Sequence, residues 1–122
     1  MPFIISRVNI PFSDEQETAL KIGLGQAIAL VPGKSEASLM LGFEDAYRLY
    51  LAGAPFQPMA YITVAVFGNH AHCGYGQLSK AIIQLFHRVL DIDPCRIFIN
   101  YEDIAAWSVA GRTFSDGRGG AE

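Results

Sequence analysis

This chain has little charge for its size. Only 17% of its 122 residues are Asp, Glu, Lys or Arg, and they leave a net charge of −3. Its basic residues are scattered, with no run and no stripe interleaved with aromatics, which excludes a nucleic-acid-binding surface of the usual kind. Cysteine is scarce too. Cys73 and Cys95 form no CxxC pair, and two thiols make neither a disulfide framework nor a paired zinc motif. No stretch approaches the ~18 consecutive apolar residues of a transmembrane helix. The front of the chain shows no charged segment, apolar segment and cleavage site in series, so a cytoplasmic protein is expected, with any release independent of a signal peptide. Phosphate-cradling glycine loops are missing as well, and no cofactor and no metal are expected.

Apolar residues are plentiful instead, at 51%, for a mean hydropathy of +0.24. That is a surplus over what one small core needs. Obligate subunit interfaces resemble a core cut in half, so the surplus suits contacts between copies.

An internal repeat organises the chain. Shifting the sequence by 58 residues lays the strand-like Phe3–Asn9 on Tyr61–Phe67. It lays Leu20, Leu24, Ala27, Ile28 and Val31 on Leu78, Ile82, Leu85, Phe86 and Val89, the spacing of a helix with one buried face. Leu39–Asp45 falls on Ile97–Asp103, both ending aromatic-Glu-Asp. Each half therefore reads β-α-β, with helices over 13–31 and 76–91. Ser13 and Gln16 form a capping box before the first helix, and Pro32-Gly33 closes it. Two such units give an α/β (α+β) domain: a four-stranded mixed sheet with two helices on one face. The other face needs a cover, and another subunit is the expected one. One domain spans 1–114, in repeats of about 2–57 and 58–114. Arg48–Leu51 and Trp107–Val109 are candidate short strands for pairing across a subunit boundary. Residues 115–122 read as a flexible tail.

Candidate chemistry begins at the first peptide bond. Removal of Met1 would leave Pro2 with a terminal secondary amine, its direction fixed by the ring. Partial burial and a nearby ammonium both move such an amine toward neutrality, which suits a general base. Lys34 follows a helix end, where a cation also complements the helix dipole. Asn100 sits in an apolar strand, where its amide needs a partner, either structural or substrate. His70, His72 and Cys73 are capable metal ligands, yet they lack the second ligand pair of a closed zinc site.

Pro2, Gly33-Lys34, Ser79-Lys80, the run Asp93-Pro94-Cys95-Arg96-Ile97-Phe98-Ile99-Asn100-Tyr101 and Thr113-Phe114 together resemble the macrophage migration inhibitory factor and D-dopachrome tautomerase family, over residues 2 to about 114. The resemblance implies a homotrimer and a cofactor-independent keto–enol tautomerase acting on small aromatic 2-oxo acids such as phenylpyruvate. It makes Pro2 the catalytic base, Lys34 the carboxylate binder and Asn100 a polar contact from a neighbouring subunit. Phe67 takes the place of an apolar pocket residue, and Phe98, Trp107, Val109, Phe114 and Phe3 line an apolar slot. The family's usual tyrosine is Phe98 here, and Ser35 stands where a proline usually follows the lysine. The alternative implied is a non-catalytic, cytokine-like trimer with a vestigial pocket, for which the sequence names no receptor. Neither nucleic acid nor membrane is an expected partner.

Overall fold

The computed structural model describes residues 1–117. Strand β1 (Pro2–Val8) leads to helix α1 (Asp14–Ala27) and strand β2 (Met40–Glu44). Strand β3 (Ala60–Phe67), helix α2 (Tyr75–Leu90) and strand β4 (Ile97–Ile104) repeat that order. The four strands form one sheet in the order β2-β1-β3-β4. β1–β2 and β3–β4 are parallel, as βαβ units require, and β1–β3 is antiparallel. Ile5 faces Thr63 across that central pair. Their numbers differ by the same 58 as the sequence repeat, so a pseudo-twofold axis passes between them.

Both helices pack on one face of the sheet. Ile4, Val8, Ile62, Val64 and Val66 meet Leu20, Leu24, Ile28, Leu78, Ile82 and Phe86 there, all fully buried. Burying each such side chain is worth about 1.5–3 kcal/mol. The helices themselves approach closely because Gly23 leaves room for the Leu85 side chain. The capping box is present: Ser13 Oγ accepts from Gln16 N–H at 3.1 Å, and Gln16 Oε1 accepts from Ser13 N–H at 2.8 Å. α1 ends at Ala27, and the remainder of the predicted helix continues as a tighter 3₁₀ turn over Ile28–Leu30. α2 starts at Tyr75 after a left-handed Gly74, one residue ahead of the expected start at 76.

The opposite sheet face is open. Along it run the rows Arg7–Tyr61–Phe98, Ile5–Thr63–Asn100 and Phe3–Ala65–Glu102. Phe98 is 50% and Met40 66% exposed. Trp107–Val109 does form a strand, β5 (Ala106–Val109), which pairs with β6 (Arg112–Ser115) in a separate two-stranded sheet. Arg48–Leu51 forms no strand within the chain; Leu51 makes an isolated bridge with Ala54. Ser115, read as the first tail residue, belongs to β6, and the tail beyond Gly117 lies outside the described residues. Among those described, no helix is long and apolar enough to cross a membrane.

Two substitutions probe this packing. Ser6 Oγ is fully buried and has no hydrogen-bond partner, a condition that costs about 1–3 kcal/mol. Ser6→Ala should therefore leave the thermal midpoint unchanged or raise it. Gly74→Ala should lower it clearly. Its φ of +81° costs an L-residue roughly 1–2 kcal/mol, and the added Cβ would run into the Leu30 carbonyl oxygen.

Candidate active site

The sheet brings the chain's first residues beside the end of β3. Pro2 is buried opposite Val66. The Phe67 N–H donates to the Met1 carbonyl at 3.3 Å, extending the ladder by one residue. Lys34 arrives from the other side. Gly33, at φ +77°, turns the chain after the 3₁₀ segment, and the Lys34 N–H donates to Val31 O at 3.1 Å. The Lys34 ammonium then donates to the Phe67 carbonyl at 2.8 Å, in partial burial.

The terminal amine of Met1 shares this cluster. Burial is the main cause that holds its pKa below the ordinary value of 8.0, followed by the Lys34 charge and a hydrogen bond with Lys34. All three causes penalise the protonated amine. An amine biased toward its neutral form beside a fixed cation can take up an anion and move a proton at its side.

Other predicted residues lie elsewhere in the single chain. Asn100 is exposed on the open face, opposite Thr63. Pro2 faces Val66, so Asn100 is offset by about 10 Å along the strands and about 10 Å across two strand spacings. One copy does not unite them. Phe98 and Phe3 also lie on the open face. Trp107 and Phe114 sit opposite each other on the hairpin, with the Arg112 guanidinium 5.5 Å from the Phe114 ring centre. Val109 is 47% exposed at the hairpin's end.

Phe98 borders a pocket of about 190 Å³ at the far end of the sheet, with Leu49, Tyr50, Leu51, Met59, Ala60, Tyr61 and Arg96. Among the described residues, no group of three or more His, Cys, Asp or Glu side chains converges on a metal-sized site. His72 instead begins a ring stack: it lies 5.5 Å from Tyr75, which lies 4.0 Å from Tyr101. The Tyr101 hydroxyl donates to Tyr75 O at 3.0 Å and pairs with Ser79 Oγ at 2.7 Å. Burial is the main cause raising the pKa of both tyrosines. The Tyr75 hydroxyl is buried without a partner in hydrogen-bonding geometry, although the nearby Asn69 side chain favours its ionised form. This stack gave no signal in the sequence, because its aromatic residues look like ordinary core. The Glu-Asp endings are structural in the first half: Glu44 pairs with Arg7 at 3.1 Å, and Asp45 accepts from Phe12 N–H at 3.2 Å.

Two βαβ units sharing an antiparallel seam, with the chain's amino end and a lysine gathered at one end of the central strands, define a protein of the tautomerase fold. The sequence pattern described as "Macrophage migration inhibitory factor (MIF)" matches residues 1–115. The chain belongs to the macrophage migration inhibitory factor family. Solved structures agree on the fold. Leishmania major MIF2 is similar with a TM-score of 0.85 at 24% identity, over 93% of this chain and 97% of that one. The Toxoplasma gondii macrophage migration inhibitory factor follows at 0.82 and 22%, over 92% and 99%. A fused 4-OT asymmetric trimer is similar at 0.78 and 19%, over 91% and 94%. No curated protein matches the chain.

The amine cluster has a titration consequence. A folded-state pKa below 8.0 means that the unfolded chain binds more protons just below that value. Stability should therefore rise with pH through that window, and fall again as pH drops through the folded pKa. In the full chain, Lys34→Gln should raise the Met1 amine pKa, read by NMR titration of a labelled terminus. It should also shrink the pH dependence of the thermal midpoint in the same window.

Proposed function

We propose that the chain, once Met1 is removed, is a keto–enol tautomerase of aryl 2-oxo acids such as phenylpyruvate, working without a cofactor as a homotrimer. The observation that carries this reading is the convergence of the chain's amino end, the Lys34 ammonium and the Phe67 carbonyl. After trimming, the amine there belongs to Pro2. It takes a proton from the carbon next to the substrate carbonyl, the electron pair closes the C2–C3 double bond, and the prolinium returns the proton to the carbonyl oxygen. Lys34 has three donors and spends one on Phe67, which leaves two for the substrate carboxylate. Asn100 of a neighbouring subunit supplies the polar contact at the aryl end.

Assembly between copies is supported by the open sheet face, whose apolar side chains need a cover, and by the distance between Pro2 and Asn100. Near Arg48–Tyr50 no backbone pairing is present among the described residues, which offers an edge for the neighbour. A second reading is a non-catalytic trimer used for protein contacts. Retention of Met1 would favour it, since its peptide bond makes the Pro2 nitrogen an amide and its carbonyl accepts from the Phe67 N–H.

Trimmed protein, verified by intact mass, should interconvert the keto and enol forms of phenylpyruvate, and Met1-retaining protein should not. Pro2→Gly should cut kcat substantially with folding intact. Lys34→Ala should raise KM, since a charge-assisted contact is worth about 1.5–3 kcal/mol, and should move the pH midpoint of kcat/KM upward. Equal rates from trimmed and untrimmed protein would leave the interaction reading in place.

A further inference from the structure

The pocket beside Phe98 combines features that an ordinary gap between subunits does not need. Its volume, about 190 Å³, is that of a space for one substituted aromatic ring, given that a 150 Å³ apolar cavity holds benzene. The rings of Tyr50, Tyr61 and Phe98 border it, with Leu49 and Met59. Its polar lining residues are Arg96, Tyr50 and Tyr61, whose side chains carry hydrogen-bond donors, and no Asp or Glu is among the described residues that line it. Arg7, in the adjacent row, is paired with Glu44. Arg96 is half-buried and has no ion pair among the described residues.

An arginine with no ion pair among the described residues, bordering an apolar, ring-lined pocket, suits an aromatic ring that bears an anion, because arginine can hold a carboxylate through two parallel hydrogen bonds. Replacing the family's usual tyrosine by Phe98 removes a competing hydroxyl from the same wall.

We infer that this pocket is the distal end of the substrate site, and that Arg96 selects 2-oxo acids whose aryl ring carries a second acidic group. The inference rests on the trimeric tautomerase reading, in which Phe98 of one subunit faces the Pro2 site of another. Lys34 then holds the 2-oxo carboxylate, the ring lies along Phe98, and Arg96 meets the far anion.

The test is steady-state tautomerisation by trimmed protein of phenylpyruvate, its para-hydroxy derivative and its para-carboxy derivative. The para-carboxy substrate should have the highest kcat/KM, by about tenfold or more over phenylpyruvate, as expected for one charge-assisted contact. Arg96→Gln should bring the ratio of the two near unity, and Arg96→Lys should keep part of it. High salt should reduce the native ratio, a readout that needs no variant. A native enzyme that turns over phenylpyruvate in a Pro2-dependent way but shows no preference for the para-carboxy substrate overturns the inference and leaves the tautomerase reading intact. So does a preference that survives in Arg96→Gln. If none of the three substrates is turned over in a Pro2-dependent way, the tautomerase reading fails and the inference with it.

Discussion

β1 and β3 run antiparallel with Ile5 opposite Thr63, and at that seam the two halves of the chain become one sheet. Its register decides what happens at both ends. With Pro2 opposite Val66, the next residue back meets Phe67, so the amino end is held by a backbone hydrogen bond rather than left loose. Because Phe67 continues the strand, its carbonyl is placed to accept the Lys34 ammonium. A register slip of one residue would turn Ile4, Val64 and their neighbours out of the helix-facing core and undo the cluster together with the packing.

Much of this was legible in the residues because repetition and periodicity are strong signals. The five-residue stripes of each helix face the core where the 3.6-residue period put them, and Ser13 and Gln16 cap as their spacing required. Element ends were less legible. Ile28–Leu30 keeps the helical pattern while tightening into a 3₁₀ turn, a change that apolar spacing does not record. The hairpin partner of Trp107–Val109 was missed, although Ala110 and Gly111 both adopt the left-handed backbone that a two-residue turn requires. Arg48–Leu51 has strand-like composition, but composition does not reveal whether a strand's partner belongs to the same chain.

The candidate site divides along the same line. Pro2, Lys34 and Phe67 are separate candidates in the sequence; in the structure Lys34 donates to the Phe67 carbonyl, the Phe67 N–H donates to the Met1 carbonyl, and Pro2 is the next residue along. What no side-chain pattern could show is that Phe67 takes part through its carbonyl, since every residue owns one. Asn100 and Phe98 were also named, and the structure sets them on the open face, away from Pro2. Strand geometry explains this separation: three residues for Asn100, five for Phe98, and two strand spacings for both cannot be crossed by any rotamer.

The repeat also has an arithmetic of ends. Advancing Pro2 by the repeat shift reaches Ala60, which sits opposite Val8 just as Pro2 sits opposite Val66. Advancing Lys34 reaches Ile92, which is fully buried. The pseudo-twofold axis thus relates a chain terminus to a point where the chain runs straight through, and a cation to a core aliphatic. The scaffold repeats, but a polypeptide has a single amino end to place on it. The twin end of the sheet lacks that chemistry, and it is there that Tyr61, Arg96 and Phe98 border their pocket.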